Sequence, residues 1–225
     1  MNKSDCIVFD DVTIAYGTEE AVRNISFSVP NGEVFAIVGE SGSGKSTLVS
    51  AAFGMLKQAT ITGQILLNGI DISTLSDSDW RKLRGTEISM IFQNPSAYLN
   101  PNRTVENHFK DLFRAHGESY GASRVIDMLN LVHLDGGERI LQSYPFQLSG
   151  GMQQRLAIAL SLILKPTIVF ADEPTSALDI LVQASVLDLL REVTQALGAT
   201  VIIVTHNIKA AARIANSIGV MNKGQ

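Results

Sequence analysis

The chain has 225 residues, 45% of them hydrophobic and 18% charged, with a formal net charge of −4. This length suits one large α/β domain with a smaller elaboration and a sizeable buried core. The acidic balance argues against a protein that holds nucleic acid electrostatically, and no apolar run approaches the ~20 residues of a membrane-spanning helix.

From the N-terminus, Met1-Asn2-Lys3-Ser4-Asp5 has no apolar region after a basic start and does not read as a signal peptide. Any membrane association is therefore expected to come through partner proteins. The single cysteine, Cys6, excludes an internal disulfide and fits a reducing cytosol. It precedes Ile7-Val8-Phe9 and reads as a packing residue at a strand start. Residues from about Cys6 to Gln64 read as short strands with turns, including Asn31-Gly32 ahead of the apolar run Phe35-Ala36-Ile37-Val38.

Gly39 to Thr47, GESGSGKST, fits G-x-x-x-x-G-K-[ST], and the residues from Ser46 onward read as a helix. The loop thus sits between strand and helix, the context a phosphate-binding loop needs. Gly39, Gly42 and Gly44 are expected to let successive N–H groups turn inward around phosphate, with Ser41 and Ser43 in the same cradle and Thr47 just inside the helix. The helix N-terminus adds free N–H donors and partial positive charge. Lys45 is expected to reach the β- and γ-phosphates of a nucleotide and the Ser46 hydroxyl to ligate Mg²⁺. A glycine-rich turn without a ligand is the plainer alternative, and the completeness and flanks of the loop weigh against it.

Ile65 to Ile72 reads as strand, Asn-Gly turn and strand, the pattern of a hairpin. Trp80 to Arg84 is locally basic and reads as a solvated helix face with Trp80 as its packing anchor. Residues from about Pro95 to Ser161 are mostly helical in pattern, as in Arg124 to Val132. Within them stands a second glycine-rich element, Leu148-Ser149-Gly150-Gly151-Met152. Ser149 can cap a helix that begins near Gly150 and runs through Leu160, and the N-terminus of that helix would be a second anion site. Taken alone it is an ordinary capped helix start. His108, His116 and His133 lack ligand-like spacing and read as surface or packing residues.

The strand pattern returns at about Lys165. Thr167 to Ala171 is an apolar strand ending in Asp172 and Glu173. Asp172 suits Mg²⁺ held through its water shell, Glu173 suits polarising an attacking water, and Pro174 is expected to break the strand. An amphipathic helix around Val186 to Leu197 ends at Gly198. Ala199 to Val204 is another buried-type strand, followed by Thr205-His206. A lone His at a strand end is more often a surface or hydrogen-bonded structural residue, but at the edge where carboxyl ends of strands meet a ligand His206 reads as a γ-phosphate sensor that also orients the Glu173 water. Strands alternating with helices imply a mainly parallel sheet.

Taken together and in this order, these elements resemble the nucleotide-binding subunit of an ABC transporter over nearly the whole chain. Leu148 to Gly151 is similar to the signature of that family. Gln93, after Ile88 to Phe92, matches its Q-loop glutamine, Tyr16 the aromatic residue that stacks on adenine, and Ser176-Ala177-Leu178-Asp179 its D-loop. The resemblance implies a P-loop NTPase core with an antiparallel β subdomain and an inserted helical subdomain, the core at about 1–94 and 165–225 and the helical part at about 95–164. It implies ATP and Mg²⁺ as cofactors, with Ser46, Gln93 and Asp172 on the metal. It also implies a head-to-tail dimer with an identical or paralogous ATPase subunit, each ATP lying between one phosphate loop and the Ser149, Gly150, Gly151 and Met152 segment of the other, with Asp179 close by. Glu173, His206, Lys45 and Gln93 would be the catalytic set.

Asn94 to Pro101, Met152 in place of the usual Gln, and Glu40 within the phosphate loop are similar to the oligopeptide, dipeptide and nickel importer ATPases. Phe146-Gln147 and Asn207 stand where that group more often has His-Glu and Asp. The resemblance then implies two transmembrane permease subunits, an extracytoplasmic substrate-binding protein, and a place on the cytoplasmic face of the membrane. Gln93 would report nucleotide state to the permease interface. A soluble ABC-type ATPase of translation or DNA repair is the alternative, but such proteins usually carry two such domains or a long insertion. A P-loop regulatory module that does not turn over is a third, disfavoured by Glu173 and His206.

Overall fold

The apolar runs before the phosphate loop, before Gln93 and in the second half become strands of a parallel sheet with both faces covered, which is why they read as continuous rather than alternating. The computed structural model describes residues 5–225, and residues 180 and 181 by their backbone alone. The expectation about a leader concerns residues 1–4 and lies outside the described residues.

In chain order the elements are β1 (Asp5–Tyr16), β2 (Glu19–Pro30), β3 (Val34–Val38), α1 (Lys45–Ala52), β4 (Thr60–Leu67), β5 (Ile70–Asp71), α2 (Asp77–Leu83) and β6 (Ile88–Ile91). Then follow α3 (Val105–Ala115), α4 (Ala122–Leu131), α5 (Gly137–Gln142), α6 (Gly150–Leu162), β7 (Ile168–Asp172), α7 (Ile180–Leu197), β8 (Thr200–Thr205), α8 (Ile208–Ile214) and β9 (Ser217–Val220). Five strands form the parallel sheet in the order β6-β7-β8-β3-β9, and four form an antiparallel sheet in the order β2-β1-β4-β5. This is the α/β architecture expected, with a parallel core sheet, an antiparallel sheet and a helical layer.

Alternate residues of each core strand serve two hydrophobic cores. Val169 and Ala171 of β7 and Val201 and Ile203 of β8 face the core built with α3 to α8. Ile168, Phe170, Ile202 and Val204 face the core shared with α1 and the antiparallel sheet. Phe170 is fully buried there, a site where truncation to alanine typically costs about 3–5 kcal/mol. In α3, Val105, Phe109 and Phe113 recur every four residues and are all fully buried, so one stripe docks the helix while Thr104 caps it.

Four local expectations are corrected. The first two strands are not short: β1 and β2 have twelve residues each, bent by register shifts, with Asp11 and Asn24 left-handed at φ 49° and 47°. The strand after the Asn68-Gly69 turn has two residues only, because the Asp71 carboxylate accepts from the Ser73 N–H and opens a 3₁₀ turn. The helix read from Val186 begins at Ile180, capped by Asp179, and ends at Gly198, which is left-handed at φ 68°. Arg84 is not on a solvated face. Its guanidinium donates to the Phe53 carbonyl at 3.1 and 3.2 Å and to the Gly54 carbonyl at 2.7 Å, and it lies over Trp80. It thereby satisfies the carbonyl end of α1, the helix whose other end carries the phosphate loop.

Candidate functional site

Because all five core strands are parallel, their carboxyl ends meet on one side of the sheet. The loop after β3, Gln93 beyond β6, Glu173 at the end of β7 and His206 after β8 all line a cleft of about 510 Å³ there. Ser41, Gly42, Gly44, Lys45, Ser46 and Thr47 supply the loop side of this cleft, and Ala21 of β2 closes it.

Gly42 and Gly44 are left-handed, at φ 79° and 100°, as the cradle requires. Gly39 is a glycine for a different reason than the one expected. Its φ is not in the left-handed region, but a Cβ there would stand 2.1 Å from the Met221 carbonyl oxygen. Lys45 is buried, and its ammonium donates to the Gly39 carbonyl at 2.9 Å, the Glu40 carbonyl at 2.7 Å and Ser43 Oγ at 3.3 Å. Its three N–H groups are thus accounted for by the loop itself.

The Ser46 hydroxyl donates to Asp172 Oδ1 at 2.8 Å, joining the phosphate loop to the end of β7. Burial holds the Asp172 carboxyl above the usual carboxylate range; the Ser46 hydrogen bond opposes this and the neighbouring Glu173 charge adds to it. Strand geometry ends one residue before Pro174, since Glu173 is left-handed at φ 48°. A non-glycine residue held there persists only where its surroundings fix it. The Glu173 N–H donates to the Val204 carbonyl at 2.9 Å, and its own carbonyl accepts from the Ser176 N–H at 3.2 Å. Its carboxylate accepts from the His206 N–H at 3.1 Å and contacts His206 Nδ1 at 2.8 and 2.9 Å. A carboxylate only accepts, so on a neutral ring the proton sits on Nδ1 and Nε2 is left as an acceptor.

A hard cation fits this set. Ser46 and Asp172 present oxygen atoms 2.8 Å apart and the Gln93 amide shares the cleft. The described residues contain no cluster of three His, Cys, Asp or Glu side chains that could hold a metal alone. Remaining ligands would be phosphate oxygens and water, the habit of Mg²⁺.

Other expected site residues lie elsewhere. Tyr16 stands exposed at the end of β1 and is not among the cleft-lining residues. Ser149 caps α6, accepting from the Met152 N–H at 3.3 Å, and none of Ser149, Gly150, Gly151 and Met152 lines the cleft. This helix start packs on the start of α7: a Cβ at Gly151 would stand 2.9 Å from Val182 Cγ1. Asp179 accepts from the Val182 N–H at 3.0 Å. Asn207 caps α8, accepting from the Lys209 and Ala210 N–H groups at 3.0 and 3.2 Å, a role Asp would fill equally. Phe146 is 68% exposed and stacks on Tyr144 beside the signature. Sequence reasoning missed Ala21 as a cleft wall and Met221 as the support under Gly39, because a backbone carbonyl in contact leaves no mark in residue type.

The family profile described as ABC transporter matches residues 22–176, and the chain belongs to that family. It is 45% identical over 216 residues to the dipeptide transport ATP-binding protein DppD of Bacillus subtilis, covering 93% of this chain and 64% of that protein. It is 40% identical to the oligopeptide transport ATP-binding protein OppD of Lactococcus lactis subsp. cremoris, covering 94% and 64%. The chain therefore spans somewhat under two thirds of the length of these relatives. Among solved structures, a dimeric ATP-binding cassette in a post-hydrolysis state bound to ADP and Pi superposes with a TM-score of 0.82 at 32% identity, over 97% of this chain and 95% of that one. CbiO1 of Clostridium perfringens, part of the ABC transporter complex cbiONQ, superposes with a TM-score of 0.84 at 30% identity, over 98% and 86%. No helix among the described residues is long and apolar enough to cross a membrane.

Proposed function

We propose that this chain is an ATP-hydrolysing motor subunit of an ABC transporter that imports peptides. One observation carries the reading: a single cleft gathers Lys45, Ser46, Gln93 and the Glu173–His206 pair, with Asp172 tied to Ser46 at its edge, while the second glycine-rich helix start, at Ser149 to Gly151, lies outside it. A second ATPase subunit, arranged head to tail, would bring its own ATP to that helix start.

The reaction is in-line attack of water on the γ-phosphorus, with the bond to the bridging oxygen breaking and ADP leaving. The loop N–H groups and Lys45 hold the phosphates, and Glu173 accepts the proton of the attacking water. His206 fixes the Glu173 carboxylate through Nδ1, and Ser149 and Gly151 of the partner complete the pocket. Ser46, Asp172 and Gln93 are the residues that would hold Mg²⁺, which offsets phosphate charge when bound. Acceleration of this kind is mostly positional and electrostatic. Tyr16 would stack on adenine, and Asp179 would face the seam.

Two transmembrane permease subunits, with an extracytoplasmic substrate-binding protein, would place the pair on the cytoplasmic face of the membrane. Gln93 would link nucleotide state to that interface. Peptides are favoured over nickel chelates by the names of the relatives. A soluble ATPase of translation or DNA repair has no specific observation in its favour.

The test is steady-state release of phosphate from MgATP by the purified chain and by Glu173→Gln. The reading expects measurable turnover in the first and a loss of roughly 10²-fold or more in the second, with ATP still bound. Full turnover in Glu173→Gln would remove Glu173 from its role.

A further inference from the structure

The segment from Met221 to Gly224, just beyond β9, touches the phosphate loop at three places and the end of β3 at a fourth. The Met221 N–H donates to the Val38 carbonyl at 2.7 Å, at the last residue of β3. The Met221 carbonyl lies against Gly39, as the 2.1 Å approach of an added Cβ records. The Met221 side chain reaches Gly44, where an added Cβ would stand 2.9 Å from its Cε. Lastly, the Gly224 N–H donates to the Ser43 carbonyl at 3.1 Å.

The same segment is fixed from its other side. The Gly224 carbonyl accepts from the Arg23 N–H of β2 at 2.7 Å. Asn222 and Gln225 exchange N–H···O bonds of 2.7 and 3.0 Å around Lys223 and Gly224, which are left-handed at φ 46° and 85°. This is the two-residue I′ turn, one of the tightest the backbone makes. Behind Met221 lies a cavity of about 360 Å³, shared with Phe27, Phe35, Leu48 and Val220. The Met221 side chain therefore has this cavity on one side and Gly44 on the other. Removing it would enlarge the cavity and take away a close contact of Gly44, leaving the Ala21 carbonyl and Val22 beside it.

A loop with glycine at 39, 42 and 44 has much conformational freedom to lose when it closes on a phosphate. A rigid support that holds it in shape beforehand removes part of that cost from binding. We propose that Met221 and Gly224 are positioning residues for the phosphate loop, holding Gly39, Ser43 and Gly44 in the shape that receives the nucleotide. This rests on the nucleotide reading of the cleft.

The experiment measures amide hydrogen exchange of residues 39–44 in the nucleotide-free chain, and the Kd for MgATP, in Met221→Ala, Met221→Leu, Gly224→Ala and the control Val220→Ala, at a residue 75% exposed. Expected are faster exchange confined to residues 39–44 and a Kd raised about fivefold or more in Met221→Ala and Gly224→Ala. Met221→Leu should recover most of both, and Val220→Ala should match wild type. Wild-type exchange and affinity in the two disruptive variants would overturn the proposal, as would exchange that rises equally in β8, or faster loop exchange with unchanged affinity. If Met221→Ala does not fold, Gly224→Ala decides. If the wild type binds no MgATP, the nucleotide reading fails, and the exchange pattern alone still decides whether the turn holds the loop.

Discussion

The Glu173 carboxylate is held by His206 twice over, through the backbone N–H at 3.1 Å and through Nδ1 at 2.8 Å. Glu173 is 16% exposed at its side chain and His206 62%, so the histidine is the solvent-facing member of the pair. Substituting His206 by Ala would leave the backbone bond and remove the ring. The carboxylate would then keep its place but lose the group that fixes its plane. Single-turnover hydrolysis in His206→Ala is expected to fall roughly 10²–10³-fold with ATP affinity within a few-fold of wild type, in the range for loss of a positioned acid–base partner. An equal loss in affinity would assign His206 to binding instead.

Asp172 gives a pH-dependent prediction. Its carboxyl is raised in the folded chain, chiefly by burial, so the unfolded chain ionises first as pH rises. Folding stability is therefore lost through this residue as pH climbs from about 4, and the penalty is complete once pH exceeds the folded value. Asn at this position does not titrate, yet keeps an oxygen to accept from Ser46. Asp172→Asn is expected to raise the unfolding midpoint of the nucleotide-free chain at neutral pH, with a gain that shrinks toward pH 4. Denaturant unfolding at a series of pH values measures it. A gain that grew on acidification would reverse the sign argued here. The same substitution should weaken MgATP binding, the usual exchange of function for stability at a charged site.

Much of this architecture was legible because its causes are local. The core strands are buried on both faces, so Val169 to Ala171 and Val201 to Val204 are apolar at every position. Asn68-Gly69 turns at φ 49° and 79°, the conformation that pair favours. The caps at Ser149 and Gly198 follow from side-chain type. What was not legible depends on distant contacts. The bulges in β1 and β2 interrupt their alternation, so two long strands read as several short ones. Arg84 looked like one more basic surface residue, and only the carbonyls of Phe53 and Gly54 draw it inward. At the site, residue types marked the phosphate loop, the carboxylates and His206. The tie from Ser46 to Asp172 and the support of Gly39 by Met221 are products of the fold.

Ser149 caps α6, and the proposed dimer gives it a second, separable duty. As the cap of α6 it satisfies the Met152 N–H, and Ser149→Ala should cost about 1 kcal/mol of stability. For a domain of this length that is a fall of roughly 2–4 °C in the unfolding midpoint. As part of the helix start offered to a partner's nucleotide, it should matter far more to association than to stability. Ser149→Ala is therefore expected to bind ATP as wild type does when monomeric and to lose most of its hydrolysis. Hydrolysis that fell only in step with the small stability loss would reduce Ser149 to a cap.

The seam itself can be tested by mass. In Glu173→Gln the carboxylate proposed to accept the water's proton becomes an amide, so bound ATP should persist in place of turning over. Two phosphate loops and two Ser149 helix starts would then share two ATP molecules. Each ATP carries several negative charges that both helix starts would attract, so in the proposed dimer nucleotide should bind the two subunits together. The solution mass of Glu173→Gln is expected to shift from monomer to dimer on adding MgATP and to return on its removal. Adding Ser149→Ala to the same chain should abolish the shift while leaving ATP bound. If Glu173→Gln binds ATP and stays monomeric, two copies of this chain do not form the pair by themselves, and a paralogous ATPase or the permease subunits must complete it.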